Sequence, residues 1–449
     1  MRGLLAGVIA LAVGGSALSA QERSCLLVLE NVDRQGNQVV VGADTNYFAG
    51  GNVRLSCRGM PIRMASDSVA AYGGRIIEVI GHMKYRDSTI TMDADRGTYF
   101  KDGERWESRG NVVASNTGNG STLTGPSLDY YRVVPGVRDT LEMYAVGRPL
   151  IDYVTLDSAG RRQEPYHIVA DRVRFKGDDR VWAGGKVTID RSDFAGRGDS
   201  LRLDTGAGND GSLLGIAPEL HGLGKDSFQL TGRRIDFRLE QKELTYLIAK
   251  GEGHAVNHDW DLTADTIGLD LHQRKLVQTV AWGRERRPHA ISPQREILAD
   301  SLVLETPDQK MREARAFGSA WVGGPPDSLT HERDWLLGDS VTARFAEHDS
   351  AGVARSTLRQ VEARGHARSL YRVANKDPAG LPSINYSRAD TILVTLKLTG
   401  DNGVERVDLS GDVDGVQLTP KAAGADSTAA DSSAAPRGAT AGPGPGARR

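Results

Sequence analysis

From residue 66 to residue 394 the chain returns again and again to one short alternation of polar and apolar positions. A small or polar residue precedes Asp, and the residues after it alternate, as in Ser66-Asp67-Ser68-Val69-Ala70-Ala71 and Ala94-Asp95-Arg96-Gly97-Thr98-Tyr99. The same frame recurs at Asp171, Asp199, Asp265, Asp300, Asp339 and Asp390, and twice without the Asp, at Pro126 and Arg233. In all ten copies the next residue is polar and the residue four after the Asp position is hydrophobic. The residue two after it is hydrophobic in every copy but one, where Gly97 stands. A period of two predicts strands with one buried and one wet face. Nothing sustains a helical period over three turns.

Each copy has a second half that opens on glycine. The clearest are Gly110-Asn111-Val112-Val113, Gly185-Lys186-Val187, Gly253-His254-Ala255 and Gly411-Asp412-Val413; Gly81, Gly147, Gly283, Gly318 and Gly365 mark weaker ones. Gly51-Asn52-Val53 belongs to a shortened first copy that Ala43-Asp44 begins. A recurrence at this spacing predicts a stacked array of strand pairs, because no such unit buries its apolar face alone. Glycine supplies the positive φ that sharp strand corners need. An Asp carboxylate at such a corner is suited to accept exposed backbone N–H groups. At about 4.8 Å per strand, ten two-strand copies extend on the order of 90–100 Å.

The ends differ from this body. Residues 1–20 carry one arginine, an apolar run from Gly3 to Gly15 and small residues at Ser19-Ala20, the layout of a cleaved signal peptide. Residues 419–449 are rich in Ala, Gly, Ser and Pro and lack a large apolar side chain, and read as a disordered tail. Export gives the only two cysteines, Cys25 and Cys57, an oxidising compartment in which to form a disulfide; two unpaired buried thiols are the other reading. Charge changes the picture little. The 56 Lys and Arg against 58 Asp and Glu imply no general attraction to nucleic acid. The 53 glycines, high for 449 residues, have no collagen period.

Sharper motifs dissolve in this context. Gly206-Ala207-Gly208-Asn209-Asp210-Gly211 fits a dinucleotide pattern but leads into a strand and reads as a turn. Arg197-Gly198-Asp199 is the repeat's own corner. His254 and His258 have no third metal ligand at a plausible spacing, and no nucleophile elbow occurs. No catalytic, cofactor or metal residue is therefore assigned, and the chain is expected not to be an enzyme.

The inward columns are the candidate functional residues: Val69, Tyr99, Leu128, Tyr130, Val173, Phe175, Leu201, Leu203, Ile235, Phe237, Ile267, Leu269, Leu302, Leu304, Val341 and Val394. They suit either a packed core or a groove that stays open along the stack and accepts acyl chains; composition alone favours the core.

The Asp copies alternating with Gly-Asn-Val strands resemble the OstA-like family, the LptA, LptC and LptD N-terminal group of periplasmic lipopolysaccharide-transport proteins. The likeness is strongest at Asp67, Tyr72, Val79, Gly81, Asp95, Tyr99 and Gly110-Asn111-Val112, and weaker copies extend it to about Leu418. The resemblance implies an all-β, elongated, twisted β-jellyroll of about ten stacked two-strand repeats without substantial helix. Modules are expected at 21–157 and 166–418, continuous with one another; no outer-membrane barrel is expected to follow them, a departure from a full LptD. The resemblance turns the inward columns into a lipid groove and implies a periplasmic bridge that carries lipopolysaccharide or a similar glycolipid between the two membranes. End-strand pairing with other OstA-like proteins, or with a second copy, would bring it to the membranes. The rival readings are an exported structural or adhesive β-solenoid with a filled core, and a polysaccharide-active enzyme on a β-helix, for which no carboxylate cluster stands out.

Overall fold

The computed structural model describes residues 25–420 apart from 42–43, 224–226, 241–242, 294, 327–330, 351–352, 374–381 and 399–403. The expected signal peptide and all but the first two residues of the expected tail lie outside these. The described residues form thirty strands and two single-turn 3-10 helices, Lys101–Gly103 and Pro307–Gln309. The all-β expectation holds. Every strand is hydrogen-bonded into one antiparallel sheet, and successive strands are neighbours along most of its length. Pairing of Leu150–Tyr153 with Tyr166–Val169 carries the ladder past residues 157–165.

This sheet is folded along a line into two leaves. Strand Arg105–Asn116 shows how. Residues 105–109 pair in one leaf and residues 112–115 in the other, with a register shift at Gly110-Asn111. Those two residues face the single residue Pro126 of the next strand, a bulge that bends the strand without breaking its ladder. Gly185-Lys186 opposes Asp199, and Gly365-His366 opposes Asp390, in the same way. At each of these bends both bulge residues adopt positive φ, for example +83° at Gly185 and +46° at Lys186.

The Asp of each copy explains why the first bulge residue is glycine. A Cβ on Gly81, Gly110, Gly185, Gly318, Gly365 or Gly411 would stand 2.1–2.4 Å from the carboxylate of Asp67, Asp95, Asp171, Asp300, Asp339 or Asp390. Where the copy lacks Asp, the substitute fills the same place: Pro126 lies against Gly147, and Arg233 against Gly251. The carboxylates do less backbone capping than expected. Asp265 accepts from the N–H groups of Arg284, Glu285 and Arg286, and Asp199 from Ile216. Burial pushes the Asp265 carboxyl up, but those three N–H groups outweigh it and hold the pKa below the ordinary value. Elsewhere the partner is the side chain after the glycine. Asn111 donates to Asp95, while His82 Nδ1 lies 2.8 Å from Asp67 and His366 Nδ1 3.0 Å from Asp339. At the Arg233 copy the polarity is reversed, with Glu252 as the partner.

Two sequence readings need correction. The first corner is Asp33, which lies against Gly51, whereas Asp44 sits at a hairpin end against Gly73. The bend in strand Glu243–Val256 falls at Gly251, not Gly253, because Gly251 has positive φ and Gly253 already pairs with Ala264. Gly206–Gly211 does form a hairpin turn, in which Gly206 and Gly208 donate to Asp204. Cys25 and Cys57 are bonded and buried, fastening the first strand, Leu26–Asn31, to Asp44–Arg58.

A corner glycine should therefore be less replaceable than one in open turn space. Gly185→Ala adds a clash with Asp171 to left-handed strain and should cost about 3 kcal/mol. Gly74→Ala, which meets nothing within 4 Å, should cost about 1 kcal/mol. Urea midpoints compare the two, and Asp171→Gly should restore part of the Gly185→Ala loss. Equal losses without rescue would contradict the role given to the carboxylate.

Candidate functional site

Alternation places one apolar row from most half-strands between the leaves. The rows merge into one core that runs from Cys25 to Leu396. Its filling changes along the stack. Early rungs contribute Tyr85, Tyr99, Trp106, Tyr130, Tyr153, Tyr166, Phe175 and Phe194; later ones are rich in small side chains such as Ala314, Ala316, Ala343, Ala363 and Ala367.

Fifteen of the sixteen inward residues are buried, from Val69 to Val341, most of them under 4% exposed. Val394 is the exception, only half-buried on the second-to-last strand of its leaf, while Ile392 beside it is fully enclosed. Walls so inaccessible to water mean that the leaves are packed together here, and the columns do not line an open groove. His254 and His258 lie outside, paired with Asp261 and Asp259.

The two flanks of this interior differ. At the bend, the leaves share continuous strands. At the opposite flank, no strand ladder joins the leaves among the described residues, and hairpins of the two leaves meet through side chains. This seam holds polar groups that the alternation did not mark. Asp87, in the 86–90 hairpin of one leaf, is 5% exposed. It accepts hydrogen bonds from Tyr85 of its own leaf and Tyr130 of the other, both at 3.0 Å. Arg132 Nε reaches it at 3.2 Å and Nη1 binds Glu104 at 2.8 Å. Tyr85 also stacks near Trp106, with centroids 4.8 Å apart. Removing either charge of such a buried pair costs about 3–5 kcal/mol.

Farther along the seam, Asn116 Nδ2 donates to Asp178 of the facing leaf at 2.8 Å. Tyr153 Oη donates to the Asp178 carbonyl and lies 2.8 Å from Thr205 Oγ1. Arg191 and Asp193 form a buried pair in the 190–194 hairpin, with the guanidinium 5.0 Å above the Tyr166 ring. Asp193 also lies 3.8 Å from Arg274 of the facing leaf. Sequence reading missed these residues because a buried Asp at a strand end has the same local signature as a turn Asp.

No family model and no curated protein matches this sequence. Among solved structures the chain is similar to LptH of Pseudomonas aeruginosa, described as the LptA-homologous periplasmic component of the lipopolysaccharide transport device. The match has 13% identity and a TM-score of 0.25, covering 28% of this chain and 94% of LptH. A likeness of that size carries no argument about function. Among the described residues no helix is long and apolar enough to cross a membrane.

The seam tyrosines make stability fall at high pH. Burial, then the Asp87 carboxylate, pushes the phenols of Tyr85 and Tyr130 above the usual 10, and burial raises Tyr153 as well. The folded chain holds these protons more tightly than the unfolded one. Their contribution is intact below about pH 10 and is lost as pH rises beyond it. Ultraviolet titration with circular dichroism should show these phenols ionising together with unfolding. Ionisation near pH 10 in a chain that stays folded would contradict their burial.

Proposed function

We propose that this protein is an exported lipid-binding bridge without chemistry of its own, carrying lipopolysaccharide or a similar glycolipid along the interior between its leaves. One observation carries the reading: the apolar interior is continuous from Cys25 to Leu396, and on one flank the described hairpins of the two leaves meet through side chains. Separating the leaves at the seam would expose acyl-binding walls while the bend kept both ladders intact. The apolar surface so exposed would be matched by the lipid rather than by water. The last strands, Val404–Ser410 and Asp414–Leu418, each pair on one edge and expose Val404, Val416 and Leu418. Such an edge suits strand addition by another transport protein of the same architecture or by a second copy. The periplasm is the compartment that agrees with the Cys25–Cys57 bond and the expected leader.

A second reading, a structural or adhesive β-solenoid with a permanently filled core, is favoured by the near-zero exposure of Leu203, Ile235, Ile267 and Leu269. A photoreactive residue at Phe175 or Leu203 separates the two. The bridge reading expects lipopolysaccharide adducts at both positions in cells. Their absence, beside a working positive control and with the variant folded, would leave the filled solenoid.

A further inference from the structure

On the outer side of the fold line, one bend departs from the two-residue bulge. Strand Lys275–Trp282 ends in one leaf and His289–Ile291 begins in the other, so that six residues, 283–288, stand opposite Asp265. This loop is held in place. The Asp265 carboxylate accepts from the N–H groups of Arg284, Glu285 and Arg286, and the Asp265 N–H donates to the Arg286 carbonyl at 3.0 Å. A Cβ on Gly283 would stand 2.3 Å from that same carbonyl oxygen, so the loop closes tightly on its own backbone.

Beside the loop lies an open hollow of about 740 Å³, with Asp265, Thr266, Trp282, Arg287 and Asp300 among its walls. That falls within the range of about 300–1,000 Å³ common for small-molecule sites. Trp282 is 39% exposed, because its cross-strand neighbours Thr266 and Ser301 are too small to cover an indole. Arg287 is fixed: its Nε lies 2.8 Å from Asp300 Oδ1, and its Nη2 donates to the carbonyls of Gly318 and Ser319 at 3.1 Å. These contacts use neither Arg287 Nη1 nor Asp300 Oδ2, which leaves a donor and an acceptor side by side at the wall.

The chemistry of the walls selects the ligand. An anion would meet the carboxylates and a cation the guanidinium groups, and exposed Arg284 and Glu285 add one charge of each sign. A neutral ligand with hydroxyls fits both, since each hydroxyl donates and accepts. A pyranose ring also presents a C–H face that packs on an indole while its hydroxyl edge stays wet. The register adds a second platform. Trp282 pairs with Ser301 and Ser301 with Phe317, which is 44% exposed. Two strand spacings put the aromatic positions about 10 Å apart. Because loop and guanidinium are already fixed, binding orders little of the protein.

We propose that this outer hollow binds a neutral hexopyranose glycan, with one ring lying on Trp282, its hydroxyls on Arg287 and Asp300, and a neighbouring unit reaching Phe317. The site lies outside the leaves and does not depend on what the interior carries.

Cellohexaose, maltohexaose, laminarihexaose and mannohexaose are the probes, titrated calorimetrically into the full mature chain, with glucose and mannose followed by saturation-transfer NMR. Oligogalacturonate and chitosan oligomers of the same length are the charged controls. At least one neutral hexaose should bind about tenfold more tightly than either control. Trp282→Ala should weaken that hexaose about tenfold, and Trp282→Phe should keep part of the affinity. Phe317→Ala should weaken the hexaose severalfold and leave the monosaccharide signal unchanged. Thr266→Trp, which fills the hollow from the next strand, should abolish binding whether or not Trp282→Ala folds; circular dichroism checks each variant. Failure of all four neutral hexaoses to bind, equal binding of a charged control, or unchanged affinity in folded Trp282→Ala or Thr266→Trp overturns the proposal.

Discussion

A strand that runs from one leaf of a folded sheet into the other must turn sharply without giving up its backbone partners, and the rest of this fold depends on how that is done. The solution is a two-residue bulge in the left-handed region, repeated at bend after bend, with a carboxylate of the preceding strand pressed against its glycine. The pressing side chain leaves no room for a Cβ. The bulge in turn offsets the register, so that each leaf resumes its alternation with the apolar row still facing inward. Where Asp gives way to Arg233, its side-chain partner gives way to Glu252. Opposite charge across the bend is kept, and the geometry survives the exchange.

This way of bending makes the two flanks of the interior unequal. One is tied by covalent strands and backbone hydrogen bonds at every rung. The other is tied by side chains: the Asp87 cluster, the Asn116–Asp178 contact and the Asp193–Arg274 pair. The buried Asp87–Arg132 pair contributes modestly to net stability but strongly opposes partial separation, because a separated charge left in an apolar surrounding is costly. It suits a boundary that is either shut or opened to water or to a ligand head group. The aromatic filling of the early rungs and the alanine-rich filling of the later ones lie between the same two leaves, so packing demand varies along a single interior.

Much of this was legible in the sequence. Strand alternation, the inward columns and the pairing of Asp with a later glycine are short-range patterns, and composition at those positions is under steric control. The first corner at Asp33 escaped because no alternating frame surrounds it. The bend at Gly251 was displaced to Gly253 because two glycines stand two residues apart, and only φ distinguishes them. The seam was invisible for a deeper reason. Asp87, Asn116 and Asp178 stand in hairpin turns or at a strand end beside one, where such residues are ordinary, and their contacts join hairpins whose meeting is decided by how far the leaves approach. That separation also decides whether the columns are wall or core. It is a property of the assembled stack, so no single copy encodes it.

The central claim, that the seam opens for lipid while the bend holds, is tested most directly by distance measurements between spin labels. Labels at Ser88 and Asp102, both exposed, sit on hairpins of opposite leaves and span the seam. Labels at Glu78 and Lys84 span the bend of strand Ile76–Arg86. On addition of lipopolysaccharide the account predicts a wider Ser88–Asp102 distance and an unchanged Glu78–Lys84 distance. A lipid-bound protein with the seam distance unchanged, or with the change at the bend, would contradict it.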